Sequence, residues 1–132
     1  MTSQLTNFIG GVQPAGDTPN ASINPSNTDE IVARFPASGK AEVDQAAQAA
    51  RAAFPAWADA SPEVRADLLD KVGATIMARA KDLGALLSRE EGKTLAEGTG
   101  EVMRAARIFR YFGGEAIRRH GRTFESTRPN VD

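Results

Sequence analysis

The residues best suited to chemistry lie in the stretch EEGKTLAEGTGEV, residues 90–102, where Gly-Lys-Thr is followed closely by Gly-Thr-Gly. Such residues build the phosphate-binding P-loop, which needs G-x-x-x-x-G-K-[ST] between a strand and a helix. The first glycine of that motif would stand at position 87, which is Leu87. The residues before Gly92 also show a helical pattern, and a helix C-terminus presents carbonyl oxygens that repel phosphate. The stretch therefore predicts a junction between two helices and no phosphate site.

A dinucleotide-binding turn is also incomplete here. Its G-x-G-x-x-G pattern would need a third glycine after Gly98 and Gly100, at the position occupied by Met103. We predict instead that Gly92 ends one helix and that Thr94 caps the next. Gly98 and Gly100 would then allow the first turns of the last helix to approach a neighbour closely.

The other candidate groups form no complete catalytic set. Carboxylates at a helix junction are usually solvated or capping, and four of them surround this one: Glu90, Glu91, Glu97 and Glu101. Arg104 and Arg107 flank an apolar stripe, and the residue pattern alone favours surface positions for both. The chain has no cysteine and a single histidine, His120. Thiolate catalysis, disulfides and histidine metal clusters are therefore excluded within it.

Composition indicates a soluble globular domain of 132 residues with a formal net charge of -1. This charge balance gives no general attraction to nucleic acid or to an anionic membrane. No apolar run approaches the ~20 residues that span a bilayer, and the N-terminus lacks the basic start and apolar stretch of a secretory signal. We therefore expect a cytoplasmic protein with no nucleic-acid partner and no membrane partner.

The elements that must position these residues change type near residue 37. Residues 1–37 predict a β-rich segment, with one strand around Phe8–Val12 that Gly10 and Gly11 break, and a strand–turn–strand unit in INPSNTDEIVARF, residues 23–35. Residues 38–121 have helical periodicity and predict about four helices. Residues 122–132 predict an extended tail. The expected fold class is mainly α with a short β-rich N-terminus.

Local signals predict the boundaries of the first two helices. Ser38 is a candidate N-cap for the first helix, and Pro55 should end or bend it. Ser61 followed by Pro62 is a strong start signal for the second helix, because serine caps and proline fits the first turn. An apolar stripe over Leu68–Ile76 then predicts its packed face.

The later boundaries follow from similar signals. A break near residues 81–82 would separate the second helix from the third. The last helix should run from about Thr94 to His120 and end at Gly121, with an apolar stripe over Val102–Phe112.

The segment EEGKTLAEGTGEV followed by FRYFGGEA resembles the family of NAD(P)-dependent aldehyde dehydrogenases. Earlier segments agree in order and spacing: FIGG, INPSNTDEIV, VDQAAQAARAAFPAW and SPEVRADLLDKVGATIMARAKDLGALLSREEGKTL. The resemblance covers essentially the whole chain. Within the family, SREEGKTLAEGTGEV is most similar to enzymes that oxidise 2-oxoglutarate semialdehyde (2,5-dioxopentanoate). It implies an N-terminal fragment of the α/β aldehyde dehydrogenase fold, all of it part of one incomplete cofactor-binding domain.

The resemblance implies a full-length parent that oxidises a small-molecule aldehyde, such as an oxo-acid semialdehyde, to a carboxylate with NAD or NADP. In the family the cysteine nucleophile, the general-base glutamate, the oxyanion-hole asparagine and the dinucleotide-binding residues belong to the later part of the sequence. None of them maps onto this chain. We therefore expect no catalytic residue, no bound cofactor and no activity for the 132-residue chain alone.

Two sites carry over from the family residue by residue. In some members a structural cation lies near the turn before the Asn-Pro motif and the acidic residue before Gly-Lys. Those positions match Ser22 and Ile23, through their backbone, and Glu90. The final helix contributes to the wall of the substrate tunnel in the family, which points to Arg104. An arginine there could pair with the carboxylate of an oxo-acid aldehyde.

The resemblance also implies that the helices pack on a sheet absent from this chain. Both apolar stripes should then leave exposed surface that drives association, and we expect a homo-oligomer. Two further interpretations stay open: a free-standing helical module that binds a partner protein, and a non-catalytic regulator that docks onto a full-length relative.

Overall fold

The computed structural model of the protein describes residues 3–13, 17–118, 121 and 127. Within these ranges three short strands precede four helices: β1 (Ser3–Gln4), β2 (Asn20–Ile23), β3 (Ile31–Phe35), α1 (Lys40–Asp59), α2 (Pro62–Ala78), α3 (Ala80–Glu91) and α4 (Leu95–Ala116). The predicted fold class is confirmed. His120 and nearly all of the predicted tail lie outside the described residues. Across the described ranges, none of the helices has the length and apolar character that a bilayer crossing would require.

The three strands form one small sheet with β3 at its centre. β3 pairs in parallel with β1 and antiparallel with β2. The strand–turn–strand prediction is therefore correct. Around Phe8–Val12 the structure has an isolated antiparallel bridge between Ile9 and Val12 in place of a strand, and the break expected at Gly10 and Gly11 is a tight turn with φ angles of 59° and 83°. Left-handed backbone of this kind makes a turn and interrupts extended structure.

Helices α2 and α4 pack antiparallel, with close contacts at one glycine from each helix, Gly73 of α2 and Gly113 of α4. A Cβ added to Gly73 would lie 2.8 Å from the carbonyl oxygen of Ala106, and one added to Gly113 would lie 3.1 Å from that of Ala66. Such short distances leave no room for a larger side chain. Val102 and Ala106 are buried beside these contacts, so this part of the core is built on close backbone approach.

Helices α3 and α4 cross at a second pair of glycines. A Cβ on Gly84 would lie 2.6 Å from the Cα of Thr99, and a Cβ on Gly98 would lie 2.6 Å from the carbonyl oxygen of Gly84. The predicted close approach is thus confirmed for Gly98. It is wrong for Gly100, where an added Cβ would meet open space.

Helix α1 differs from prediction at its N-terminus, and of the two alternatives predicted for Pro55, ending or bending the helix, the first is wrong. Its N-cap is Gly39 instead of Ser38, whose hydroxyl accepts a hydrogen bond from Asn7 at 2.8 Å. The helix also continues through Pro55 to Asp59. Arg65 of α2 binds the end of the helix, because its guanidinium donates to the carbonyl of Ala60 at 2.5 Å and, at longer range, to those of Trp57 and Ala58. The last carbonyls of a helix lack amide partners further along it, and here only Trp57 also accepts from the backbone amide of Ala60, at 3.3 Å, among the hydrogen bonds of the described residues.

The later helices also differ in detail. Ser61 caps α2 as predicted, accepting from the amide of Val64 at 3.3 Å. The break before α3 falls at Arg79 instead of residues 81–82. Helix α4 ends at Ala116, short of the predicted Gly121. Gly113 already lies beside the first turns of α2, and Ile117, which follows the helix, is exposed among the described residues.

Much of the predicted apolar surface has no partner within the described residues. Helix α1 contains no buried residue at all. Leu68 of the first predicted stripe and Phe112 of the second remain 46% and 56% exposed. The stripes therefore mark the apolar faces correctly, but only the residues beside the glycines are buried.

Candidate functional site

The glycine-rich stretch forms the predicted junction between α3 and α4. Gly92 adopts the left-handed conformation at φ 74°, and its amide donates to the carbonyl of Ser88 at 2.8 Å. Thr94 caps α4 by accepting from the amide of Glu97 at 3.3 Å. The carboxylate of Glu97 in turn accepts from the amide and the hydroxyl of Thr94, at 3.1 and 2.8 Å. Both halves of a capping box are present.

This geometry does not fit the phosphates of a dinucleotide. Gly92 lies at the carbonyl end of α3, where the helix dipole is negative. The amine of Lys93 is already paired with Glu101 at 2.7 Å and with Glu91. These two carboxylates, Glu101 first, raise the pKa of Lys93. The described part of the junction therefore has the chemistry of a structural connection.

The turn between β2 and β3 docks onto this junction. The hydroxyl of Ser26 donates to the carbonyl oxygen of Gly92 at 2.9 Å. A Cβ on Gly92 would lie 2.8 Å from Cγ of Pro25, so glycine is required there for packing as well as for conformation. Arg89 donates from Nε to Oε1 of Glu30 at 2.8 Å. The turn thus brings the end of β2 to the end of α3.

The docked turn brings together two of the three residues proposed for the cation. The hydroxyl of Ser22 lies 3.5 Å from Oε1 of Glu90. Ile23 follows Ser22 at a point where the register between β2 and β3 shifts, which disrupts the strand ladder locally. Ser22 is half-buried, whereas Ile23 and Glu90 are exposed.

The chemistry of this donor set fits a hard cation of low charge. It offers oxygen atoms only: a hydroxyl, a carboxylate and the backbone carbonyls of Ser22 and Ile23. Divalent cations such as Ca²⁺ take six to eight oxygens and usually several carboxylates. No group of three acidic, histidine or cysteine side chains in the described ranges could hold a metal. A single carboxylate therefore favours a monovalent cation.

Arg104 lies on the opposite side of α4 from its packed face. At 100° per residue it is turned roughly 180° from the buried Val102 and Ala106. It shares its side with Ile108 and Tyr111, at i+4 and i+7, which are 50% and 60% exposed. Arg104 itself is exposed, and among the described residues it has no ion pair. It lies ten residues after the N-cap Thr94, which is about 15 Å along the helix axis, so the two candidate sites are separate.

Sequence reasoning missed the polar residues that hold the turn in place. Asn24 is buried, and its amide group donates to Oε2 of Glu30 at 2.7 Å while its Oδ1 accepts from the amide of Ser26 at 2.9 Å. The hydrogen bond from Asn24, followed by that from Arg89, lowers the pKa of Glu30. The Asn-Pro sequence signalled a turn, but nothing local connects Glu30 with Arg89, which is 59 residues away.

Comparisons with known proteins agree on one family. A sequence model of the aldehyde dehydrogenase family matches residues 12–132. The chain is 36% identical over 127 residues to the 3-sulfolactaldehyde dehydrogenase of Pseudomonas putida, covering 95% of this chain and 26% of that protein. It is 32% identical over 134 residues to the alpha-ketoglutarate semialdehyde dehydrogenase of Haloferax volcanii, covering 100% of this chain and 28% of that protein.

Solved structures give the same result. The crystal structure of lactaldehyde dehydrogenase from Escherichia coli superposes with a TM-score of 0.88 at 30% sequence identity, covering 98% of this chain and 27% of that chain. The chain thus spans about a quarter of the length of the relatives that it matches.

Proposed function

Because the chain belongs to the aldehyde dehydrogenase family, we propose that it is the scaffold segment of an enzyme that oxidises an aldehyde to a carboxylate. The observation that carries this proposal is the continuous family match over residues 12–132, supported by the similarity of the fold to a complete family member. In such an enzyme NAD or NADP supplies the hydride acceptor when bound. The contribution of this chain is to shape and support the surroundings of that chemistry.

The chain alone should be inactive. It contains no cysteine to act as a thiolate nucleophile, and the junction around Gly92 does not fit dinucleotide phosphates. We expect no NAD(P)-dependent aldehyde oxidation by the homogeneous 132-residue chain, measured by absorbance of the reduced cofactor. A full-length family member is the positive control. Turnover that survives removal of any contaminating full-length enzyme would refute this expectation.

Within the complete enzyme, Arg104 reads an anionic group on the substrate. Its guanidinium is always charged and presents a fork suited to a carboxylate. Its neighbours Ile108 and Tyr111 are exposed apolar residues, which suggests a face that further polypeptide or substrate covers. The names of two relatives support an anionic substrate, one a semialdehyde of alpha-ketoglutarate and the other a sulfolactaldehyde. The lactaldehyde enzyme is the counter-example.

The test is Arg104→Met in the full-length enzyme that contains this segment. We expect kcat/KM for a semialdehyde with a distal carboxylate to fall about ten- to a hundredfold, because a charge-assisted pair contributes roughly 1.5–3 kcal/mol. An uncharged aldehyde of equal length should be nearly unaffected. Arg107→Met is the matched control, since Arg107 is also an exposed arginine of α4. Equal losses for both aldehydes would eliminate Arg104 as the carboxylate reader while leaving the family assignment intact.

The oxygen atoms of Ser22, Ile23 and Glu90 form part of a monovalent cation site. The approach of Ser22 to Glu90 supports this role. The cation would tie the end of β2 to the end of α3, so its role is structural. Sodium chloride should therefore raise the melting temperature more than choline chloride at equal ionic strength, and Glu90→Gln should abolish the difference.

The uncovered apolar faces also support association between copies of the chain. Phe54 of α1 and Tyr111 of α4 are 59% and 60% exposed, and apolar patches of this kind promote assembly. We expect a homo-oligomer by light scattering at high micromolar concentration. A clean monomer that binds no dye specific for exposed apolar surface would contradict this. A cytoplasmic location stays a prediction from composition.

A further inference from the structure

We propose that Asn24, Glu30 and Arg89 are positioning residues that together hold Ser22 against Glu90. This inference rests on the proposed cation role of Ser22, Ile23 and Glu90, and it adds the residues that give that site its geometry. We refer to Asn24, Glu30 and Arg89 as the turn relay.

The contact between Ser22 and Glu90 is too weak to fix the relative position of the two side chains. Its 3.5 Å separation is at the outer limit of a hydrogen bond. Glu90 is exposed, so water competes for its carboxylate. The position of one side chain relative to the other must therefore be fixed by stronger contacts nearby.

The carboxylate of Glu30 supplies such a contact because its two oxygens serve different elements. Oε1 accepts from Nε of Arg89 at 2.8 Å and lies 2.7 Å from Nη2 of the same guanidinium. Oε2 accepts from the side-chain amide of Asn24 at 2.7 Å. Arg89 precedes Glu90 on α3. Glu30 therefore connects Asn24, inside the turn between β2 and β3, to the part of α3 that carries the candidate ligand Glu90.

Asn24 links both sides of the turn through hydrogen bonds. It is buried, with 8% of its surface exposed. Its backbone amide donates to the carbonyl of Glu30 at 3.0 Å, and its side chain closes onto the amide of Ser26. A movement of Glu30 would therefore move the whole turn, including the strand end at Ser22 and Ile23.

A second anchor lies on the other side of Glu90. Ser26 donates to the carbonyl oxygen of Gly92, and Pro25 packs against Gly92. The turn is thus fixed to α3 at Arg89 and just beyond it at Gly92, with Glu90 between the two anchors. Two anchors define both the distance and the direction of the turn, whereas either one alone would allow it to pivot.

The experiment separates positioning from cation binding. The chain has no cysteine, so spin labels can be attached specifically to Thr28→Cys in the turn and Leu86→Cys on α3, both exposed. The distance between the labels is measured with and without Glu30→Gln, which removes the negative charge of Glu30 but keeps the shape of its side chain. Arg89→Lys is the second variant, since it keeps the charge and loses the fork. Circular dichroism checks that each variant is folded.

The matched control is Asp70→Asn. Asp70 accepts from Nε of Arg110 at 2.9 Å, which is also a carboxylate–guanidinium pair between two elements, but it joins α2 to α4 away from the turn. We expect a broader label distance in Glu30→Gln and Arg89→Lys, and no change in Asp70→Asn. Sodium binding, followed by ²³Na line broadening against a choline chloride reference, should weaken about tenfold in the two relay variants, as is usual for residues that orient ligands.

Each outcome has a definite reading. Label distances in both relay variants that match those of the unsubstituted chain would overturn the proposal, even if sodium binding weakened, because the turn would then keep its position without the relay. Broader distances together with weaker sodium binding support it. Broader distances in a chain that never bound sodium would leave the positioning role standing and would instead refute the cation site.

Discussion

Helices α1 and α4 are the two longest in the described part of the chain, with 20 and 22 residues, and both have one apolar face. The two helices differ in how much of that face is buried. Helix α4 buries Gly98, Val102, Ala106 and Gly113 against α2 and α3, whereas α1 buries none of its residues. A periodic apolar pattern therefore predicts a helix and its apolar face, but it does not predict that the face finds a partner.

Small residues explain this difference in burial only when the neighbouring helix presents a small residue or a backbone carbonyl at the same contact. The apolar side of α1 is rich in alanine, yet Val43 and Phe54 on that side are 62% and 59% exposed. In α4 the small residues are glycines placed opposite glycines or carbonyls of neighbouring helices. Close packing thus requires matched small residues on two elements, and one helix sequence shows only half of that condition.

The largest expected effect comes from adding one methyl group at the α3–α4 crossing. In Gly98→Ala the new Cβ would lie 2.6 Å from the carbonyl oxygen of Gly84 and would also collide with the hydroxyl of Ser88. Because a backbone atom must shift, we expect a loss of about 2–3 kcal/mol in the free energy of unfolding. Gly100→Ala, two residues along, meets open space and should gain up to ~1 kcal/mol from helix propensity. Urea unfolding of both variants gives the comparison, and equal signs would contradict it.

A second pair of substitutions compares the two helices directly. Val102→Ala removes two methyl groups from a side chain that is 9% exposed, and we expect a loss of about 2 kcal/mol from transfer and cavity terms. Val43→Ala in α1 removes the same groups from a side chain that is 62% exposed, and it should change stability by less than ~0.5 kcal/mol. Thermal and urea unfolding both report these values. A cost at Val43 similar to that at Val102 would show that α1 has a partner in solution, such as a second copy of the chain.

The N-caps of α4 and α1 predict a smaller difference in the free energy of unfolding. Thr94→Ala removes the side-chain half of the capping box of α4 and should cost about 1 kcal/mol. In α1 only the other half exists, because Glu42 accepts from the amide of Gly39 at 2.7 Å but glycine has no side chain to return the bond. Gly39→Asp should therefore stabilise by a few tenths of a kcal/mol. A loss of stability on introducing aspartate would show that Gly39 is needed for a different reason.

The smallest effect is a pH dependence at the start of α4. Hydrogen bonds from the hydroxyl and then the amide of Thr94 lower the pKa of Glu97 below its ordinary value of 4.5. The stabilisation by Glu97 is therefore complete above that ordinary value and is lost as the pH falls through the lowered pKa. We expect helicity by circular dichroism to decline between pH 5 and pH 3 slightly less in Glu97→Gln than in the unsubstituted chain. Identical pH profiles would mean that the cap contributes nothing measurable.

Local chemistry explains which parts of the structure could be predicted. Ser61, Gly92 and Thr94 act through residues at most four positions away, so their capping roles follow from the sequence alone. Ser22 and Glu90 were proposed as cation ligands from the family resemblance; the structure has their side chains 3.5 Å apart, and the ligand role stays a prediction.

The features that the sequence did not predict involve contacts between residues far apart in the chain. Pro55, which was expected to end or bend α1, does not end it, and the carbonyls at the end of the helix are bound by Arg65, a residue of the next helix. Glu30 and Arg89 were overlooked because the pair forms only after the turn docks. Arg104 stays a prediction, since it is exposed and forms no ion pair among the described residues that would define its role.

The distance along the chain between the turn and its anchors has a consequence for the order of folding. Ser22 and Glu90 are 68 residues apart and Glu30 and Arg89 are 59 apart, whereas α3 and α4 are joined by three residues. Closing a long loop costs entropy before its contacts form, so neighbouring helices should assemble first. We expect pulse-labelled hydrogen exchange to protect amides of α4 before those of β2, with the turn docking as the last step.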